Sequence, residues 1–272
     1  TKHWIENFDI DGWRMDVAKE LDFSFWKEFR DIAYATKKDV LLISEIFGDT
    51  SQWLQGDRFD GTMNYSFRET MTDYFATKRI NNKEFADSLA NLYSMYSFEA
   101  LSSCQNLLSS HDVKRFLNRC GNNQDGILGA IFLQATFPGI AGVYYGDEVG
   151  LGGADDPFNR EPFPWNNEES WNKTILEFTK SMMQIKNVNP IFKYGRFELL
   201  DYEENVVIFR RILQDESLIC IVNRDRITND IIIPSNAHSI DILYGDCEAN
   251  LEDGSVKITK NAGDVGIILH EQ

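Results

Sequence analysis

The chain has 272 residues, of which 43 are acidic and 27 basic, so its formal net charge is -16 at pH 7. This charge repels polyanions, which excludes nucleic acid and an anionic membrane surface as expected partners. Hydrophobic residues make up 43% of the chain and aromatic residues 13%, enough apolar material for one large domain or two moderate ones. Aromatic rings can also stack on sugar faces, although most of them simply fill a core.

The cysteines and the apolar runs exclude further classes of protein. The four cysteines are far apart and form no Cys-x-x-Cys pair, so we expect free buried thiols at Cys104, Cys120, Cys220 and Cys247. No run of about 18 apolar residues is present, so no membrane span is predicted. The opening residues do not form a secretory signal, and any signal would lie upstream of Thr1. The location of the protein therefore stays open, with the cytoplasm favoured over secretion.

Over the first two thirds of the chain, short apolar runs alternate with longer amphipathic segments, which is typical of parallel strands connected by helices. The predicted strands are residues 12–17, 40–46, 59–63, 104–109 and 140–145. Apolar residues recur at helical spacing after the first strand, at Phe25, Trp26, Phe29, Ile32 and Ala33. Asp22 and Ser24 are candidate caps of that helix. Further helices are predicted over residues 83–96, 125–137 and 171–186.

The pattern changes near residues 187–190. Strand-like segments then follow one another without intervening helices, at residues 206–213, 217–222, 227–233, 239–243 and 265–270. The sequence therefore predicts an α/β domain over residues 1–187 and a separate antiparallel β domain over residues 188–272.

Three acidic residues lie where predicted strands end. Asp16 is two positions after Arg14, so both side chains leave the same face of a strand, which alone also fits a structural ion pair. Glu45 ends an apolar strand, where a carboxyl must be paired, protonated or functional because a lone buried charge is costly. Asp112 again follows an apolar run. Acidic groups at the carboxyl ends of three strands are the layout of a barrel enzyme site.

Four ordered stretches carry a family resemblance: GWRMDVA, ISEIF, LLSSHD and GVYYGDEVG. They resemble the later strands of the α-amylase family, glycoside hydrolase family thirteen. The linking stretches DRFDGTMNYSF and GGADDPFNREPFPW are similar to those of cyclomaltodextrinases, neopullulanases and maltogenic amylases. The resemblance covers roughly residues 5–190. It implies the C-terminal part of a (β/α)8 TIM barrel followed by an antiparallel β-sandwich domain.

The resemblance also implies the chemistry. Asp16 would be the nucleophile, Glu45 the general acid and base, and Asp112 the carboxylate that holds substrate hydroxyls. The implied enzyme is a retaining glycosidase of α-1,4-linked or α-1,6-linked glucans, maltooligosaccharides or cyclodextrins. A retaining glycosidase needs an ionised nucleophile beside a protonated acid, so the two environments must separate the pKa values of the two carboxyls.

Other motif positions are predicted to bind substrate. Arg14 should keep Asp16 ionised and oriented, and His111 should bind a sugar hydroxyl, although a lone histidine also fits a core position. Asn64 and Tyr65 follow a strand and are expected to line the pocket, but they also fit simple turn chemistry. Arg160 is expected at the pocket rim.

Two positions depart from the cyclomaltodextrinase pattern. Lys19 stands where these enzymes have an asparagine and resembles the lysine of many α-amylases, so we expect it to bind substrate. Phe47 replaces an expected tryptophan. Both positions lie on the leaving-group side, so the departures affect the expected substrate preference rather than the reaction type.

The first barrel strands of the family, its inserted loop domain and its early Asp and Asn-His motif do not occur in the sequence. We therefore expect a fragment that has no cofactor and no complete calcium site, because the calcium site of the family depends on the loop domain. An open barrel edge favours a homo-oligomer. The alternatives are a catalytically silent fragment that only binds sugar or assembles with a partner chain, and an unrelated α/β protein.

Overall fold

The computed structural model describes residues 1–202, 206–259 and 262–272. Helices α1 to α9 span Lys2–Phe8, Phe23–Thr36, Tyr65–Met71, Asn82–Ser94, Phe98–Ser103, Phe116–Arg119, Gln124–Thr136, Lys173–Val188 and Pro190–Tyr194. Strands β1 to β13 span Gly12–Met15, Leu41–Ser44, Gly61–Thr62, Gln105–Leu107, Ile140–Gly142, Arg196–Asp201, Val207–Leu213, Glu216–Val222, Ile231–Pro234, Ile240–Tyr244, Glu248–Glu252, Ser255–Thr259 and Gly266–Glu271.

The first five strands form one arc of parallel strands. Strands β1, β2 and β3 pair in that order, and β4 pairs with β5. A parallel bridge between Met63 and Gln105 joins the two groups. All five carboxyl ends therefore meet at one edge of the arc, as in a barrel. In the described part of the chain, no strand pairs with the outer edge of β1.

The arc confirms the predicted parallel strands, although each observed strand is shorter than its prediction. Helix α2 confirms the predicted cap, because the Asp22 side chain accepts a hydrogen bond from the Ser24 N–H. Helix α7 is buried along nearly its whole length between the strands and the second domain. Gly129 allows this packing, because a Cβ atom there would overlap the ring of Phe75.

Strands β6 to β13 form two antiparallel sheets. The larger has the order β10-β13-β8-β7-β6 and the smaller β11-β12-β9. Their facing sides share an aliphatic core that includes Ile208, Ile219, Ile221, Val256 and Ile267. The architecture is therefore the C-terminal part of a (β/α)8 barrel followed by a β-sandwich.

The opposite face of the larger sheet packs against the barrel. Phe209 and Val222 belong to the same apolar core as Phe132 and Phe137 from the region of α7. The expected free thiols are also confirmed, since Cys104, Cys120 and Cys220 are buried without disulfides, and Cys247 is free and half-buried. Among the described residues, no helix combines the length and apolar character needed to cross a membrane.

Candidate active site

The predicted site residues gather at the carboxyl ends of the parallel strands. Asp16 follows β1, Glu45 follows β2, and Asp112 lies in the loop after β4. One ligand oxygen or nitrogen from each of Glu45, His111 and Asp112 lies within 4.8 Å of the others. The fold therefore brings together residues that are up to about a hundred positions apart, at the edge where barrel enzymes carry their chemistry.

Arg14 joins the first two carboxyls. Its Nη1 lies 2.5 Å from Asp16 Oδ1, and its Nη2 lies 2.5 Å from Glu45 Oε1. Its Nε donates to the sulfur of Met63 at 3.4 Å, which anchors the guanidinium beside the end of β3. A planar guanidinium with fixed donors can hold two carboxylates in a defined geometry. The predicted pairing of Arg14 with Asp16 is therefore observed, and Glu45 shares the same cation.

The surroundings of the two carboxyls differ. The Asp16 side chain is 70% exposed, whereas that of Glu45 is 7% exposed. The hydrogen bond from Arg14 lowers the pKa of Asp16, and neighbouring Glu45 and His111 act in the same direction. Burial raises the pKa of Glu45, and the nearby Asp16 carboxyl raises it further, while the Val17 N–H and Arg14 oppose this. The site thus moves the pKa values of the two carboxyls apart, with Asp16 the stronger acid and Glu45 the weaker one.

Val17 has a strained backbone at this point. Its φ of 45° and ψ of 43° lie in the left-handed region, which a β-branched residue rarely adopts. Two hydrogen bonds hold the turn: the Val17 N–H donates to Glu45 Oε2 at 3.1 Å, and the Ala18 N–H donates to Glu45 O at 3.3 Å. Such strain persists only where the surroundings over-determine it, and it clusters at functional sites. No signal in the sequence indicated this conformation.

The third carboxyl is oriented by its neighbours. His111 Nε2 lies 3.0 Å from Asp112 Oδ2, and Arg160 Nη2 lies 3.7 Å from Asp112 Oδ1. The side chains of both partners are partly exposed. The spacing of Glu45, His111 and Asp112 also suits a metal ion. A cation would favour the ionised form of Glu45, however, whereas a general acid must keep its proton.

Asn159 is a positioning residue that the sequence analysis missed. Its side chain is fully buried, and its Nδ2 lies within hydrogen-bond distance of the carbonyl oxygens of Ser110, His111 and Val113, at 3.3, 2.9 and 3.0 Å. It thereby ties the loop that carries Arg160 to the loop that carries Asp112. Its only sequence signal is a place beside Arg160 in the Pro-Phe-Asn-Arg stretch.

Asn64 and Tyr65 take different positions from those expected. Asn64 is buried, caps α3 by accepting from the Phe67 N–H, and donates to Asn106 Oδ1 at 2.9 Å. Tyr65 is also buried, with its hydroxyl 3.3 Å from Ser110 Oγ. Exposed Phe47 stacks on the Tyr65 ring with centroids 3.7 Å apart. Hence Phe47 presents its ring to the open site and is supported by Tyr65. The polar atoms of Asn64 instead form hydrogen bonds within the fold.

Lys19 is exposed on the helical turn Ala18–Glu20, which begins two residues after Asp16. The last motif stretch, GVYYGDEVG, makes structural contacts. Buried Arg115 donates to Tyr145 O at 2.8 Å and pairs with Asp147 Oδ1 at 3.1 Å. Burial raises the pKa of Asp147 to about 6 despite this partner. Below the acids, a cavity of about 210 Å³ extends into the arc between Arg14, Gln105 and Tyr144.

Comparison with known proteins identifies relatives of the whole chain. A family model described as "Alpha amylase, catalytic domain" matches residues 1–194. Neopullulanase 2 of Thermoactinomyces vulgaris is 36% identical over 265 residues, 95% of this chain and 45% of that protein. The cyclomaltodextrinase of Thermoanaerobacter pseudethanolicus is 38% identical over 223 residues, 82% of this chain and 39% of that protein.

A solved structure extends the comparison. The debranching enzyme of Nostoc punctiforme matches with a TM-score of 0.89 at 31% sequence identity, over 98% of this chain and 59% of that one. The chain thus spans less than half the length of the two curated relatives.

Proposed function

Because the chain belongs to the α-amylase family, we propose that the protein is a retaining glycoside hydrolase that acts on α-linked glucans through a covalent glycosyl-enzyme intermediate. The proposed substrates are α-1,4-linked or α-1,6-linked glucans, including maltooligosaccharides and cyclodextrins. The names of the relatives, neopullulanase and cyclomaltodextrinase, support this substrate class.

The reaction needs two steps. In the first, the Asp16 carboxylate attacks the anomeric carbon while the bond to the glycosidic oxygen breaks, and Glu45 gives its proton to that oxygen. In the second, the ionised Glu45 takes a proton from water as the water oxygen attacks the anomeric carbon. Asp16 then leaves as a carboxylate, and both acids return to their first state.

The shared Arg14 carries the proposal. One guanidinium contacts both carboxyls at 2.5 Å, yet the pKa of Asp16 is lowered by its hydrogen bond to Arg14 while the pKa of Glu45 is raised by burial. Two neighbouring carboxyls whose pKa values are pushed apart mark a nucleophile and a proton donor. An ion pair with a purely structural role would need no difference between the pKa values of the two carboxyls.

Asp112 has a supporting part in the proposal. With His111 3.0 Å away on one side and Arg160 on the other, its carboxylate stays oriented toward the cleft and can accept hydrogen bonds from two sugar hydroxyls. Such hydrogen bonds stabilise the oxocarbenium-like transition state when they strengthen during the reaction. His111 can bind a neighbouring hydroxyl through its own ring nitrogens.

Trapping of the covalent intermediate tests the proposal. A fluorinated glucosyl donor with a good leaving group should add one glycosyl mass to the peptide that carries Asp16, and Asp16→Asn should abolish the label. Asp11→Asn is the matched control, because Asp11 is fully exposed and pairs with Lys37, away from the catalytic acids. The assay should be run on the chain alone and on a fusion to the N-terminal part of neopullulanase 2. A label on another residue, or product with inverted anomeric configuration, would contradict the assignment.

A second candidate function is sugar binding without turnover by the 272-residue chain alone. The exposure of Asp16 and the unpaired outer edge of β1 favour it, because one wall of the cleft is open in the described structure. Titration with acarbose or maltotriose separates the candidates. If the chain alone binds the sugar without releasing product, the result would support sugar binding as the function of the chain alone. Turnover by the fusion would in turn support hydrolysis as the function of the longer form.

A further inference from the structure

A second cavity lies at the opposite end of the parallel strands from the catalytic acids. It measures about 690 Å³ and is lined by α5, the start of β5, and the ends of α8 and α9. Its walls are mostly apolar, from Phe98, Ile140, Ala141, Met183 and Tyr194. This volume is within the range of small-molecule sites.

Two lysines line this apolar cavity. Lys186 is 8% exposed, and its Nζ donates to Ala135 O at 3.0 Å, in the last turn of α7. Lys193 lines the same wall from α9 and is exposed. In the described ranges, no carboxyl forms an ion pair with Lys186, although the chain as a whole is strongly acidic. An ammonium has three donors, so Lys186 has hydrogen-bonding capacity left for a ligand.

The positive charge behind this wall is not balanced locally. Arg211 is fully buried next to Lys186, and its guanidinium donates to the carbonyl oxygens of Thr136, Phe192 and Gly195 rather than to a carboxylate. Burial, together with the charges of Arg211 and Lys193, lowers the pKa of Lys186 to about 7. A bound anion would relieve both effects.

Acidic side chains are scarce around this space. Glu99 is the only acidic residue that lines the described cavity, and it is exposed. The charged lining is therefore mainly basic, with Lys186 on the buried wall and Lys193 nearer to solvent.

We propose that this cavity binds a small monocarboxylate with an apolar tail, whose carboxylate pairs with Lys186 while its tail packs against Phe98 and Ile140. The complementary charge selects this ligand class over neutral sugars, which would leave the ammonium unpaired. The lining of this cavity shares no residue with the lining of the cavity below the catalytic acids.

Calorimetric titration with octanoate tests the site on the 272-residue chain. Octanoate should bind one to one, and Lys186→Met should weaken binding about tenfold or more. Binding should also be tighter at about pH 6 than at about pH 8.5, because protonated Lys186 is the binding form. Lys180→Met is the matched control on the same helix, since its exposed ammonium pairs with Glu177, and it should leave binding unchanged.

Two further variants keep the test decisive if Lys186→Met fails to fold. Lys193→Met removes the second ammonium of the same wall and should weaken binding, and Ile140→Asp places a carboxylate at the mouth and should abolish it. No octanoate binding, equal binding by Lys186→Met, or equally tight binding of octanol would overturn the proposal. These outcomes do not depend on glycosidase activity.

Discussion

Arg14 Nη2 lies 2.5 Å from Glu45 Oε1, yet the pKa of Glu45 is raised, because burial of its carboxyl outweighs the attraction of the cation. The same guanidinium lowers the pKa of Asp16 through a direct hydrogen bond. Arg14 therefore opposes the protonation of both carboxyls, but only the exposed one ends up with a lowered pKa. This relationship leads to a prediction about the pH dependence of activity.

Arg14→Met should move the pH profile of kcat/KM toward higher pH on both sides. Without the hydrogen bond the pKa of Asp16 rises, so the ionised nucleophile appears only at higher pH. Without the cation the pKa of Glu45 also rises, so the proton donor persists to higher pH. The loss of orientation should lower kcat by roughly 10²-fold. Initial rates on maltotriose across the pH range, in the neopullulanase fusion, measure both effects.

Arg30→Met is the control for this experiment. Arg30 also pairs with an aspartate, Asp60, at 2.8 Å, but it lies on the outer side of the strands. Its removal should leave the shape of the pH profile unchanged. If the pH profile of Arg14→Met keeps the two apparent pKa values of the wild type, then Arg14 has no electrostatic effect on the reacting carboxyls.

Glu45→Gln should affect substrates according to their leaving groups. A glutamine cannot donate the proton that a sugar leaving group needs, whereas an activated aryl group leaves with little assistance. The first step should therefore slow by about 10²-fold to 10⁴-fold on maltotriose and much less on a dinitrophenyl glucoside. Pre-steady-state release of the aryl group measures that step. Asp112→Asn is the comparison, because it should slow both substrates alike; equal losses for Glu45→Gln would contradict its role as proton donor.

The fold was predictable where apolar periodicity was strong. The helices at Phe23–Thr36 and Lys173–Val188 follow from it directly, and the five parallel strands follow from their short apolar runs, whereas the helix Gln124–Thr136 is apolar on all sides. Strands β11 and β12 were missed, although Asp253 and Gly254, both with positive φ, join them in a tight turn. An Asp-Gly pair between alternating segments is a hairpin signal that could have found them. Helix α3 was missed because its cap, Asn64, looks like turn chemistry in sequence.

The predicted site rests on motifs, and motifs give residue types rather than geometry. They identified Arg14 beside Asp16, but the second contact of Arg14 with Glu45 depends on how β1 pairs with β2. The left-handed backbone of Val17 is enforced by tertiary hydrogen bonds, and the local sequence does not favour it. The buried amide of Asn159 likewise acquires its three carbonyl partners only after the loops assemble.

Asn64→Ala should destabilise the fold without a specific effect on substrate binding. The mutation removes the cap of α3 and a buried hydrogen bond to Asn106, so we expect a loss of about 1 to 3 kcal/mol in the free energy of unfolding. Urea denaturation of the chain measures this loss. Asn91→Ala, at an exposed position of α4, should change stability by less than about 0.5 kcal/mol. A stable Asn64→Ala with weaker acarbose binding would instead support the role in substrate binding first expected for Asn64.

The unpaired edge of β1 predicts how the chain behaves in solution. Unpaired N–H and C=O groups of an edge strand template association with another chain. We therefore expect the 272-residue chain to self-associate as its concentration rises, and the neopullulanase fusion to do so less because its added strands cover this edge. Sedimentation velocity over a concentration series measures the difference. A chain that stays monomeric with β1 bare would contradict the prediction.

The same open edge predicts a large difference in activity. The chain alone should hydrolyse maltooligosaccharides very slowly even with Asp16, Glu45 and Asp112 in place, because orientation can supply roughly 7 to 11 kcal/mol of barrier reduction. In the described structure Asp16 is 70% exposed, so one side of the cleft lacks groups that hold the sugar. The fusion should therefore raise kcat/KM for maltotriose by several orders of magnitude, and Asp16→Asn in the fusion should remove that gain while the fold stays intact. Rapid hydrolysis by pure residues 1–272, abolished by Asp16→Asn, would instead mean that these five strands hold the substrate unaided.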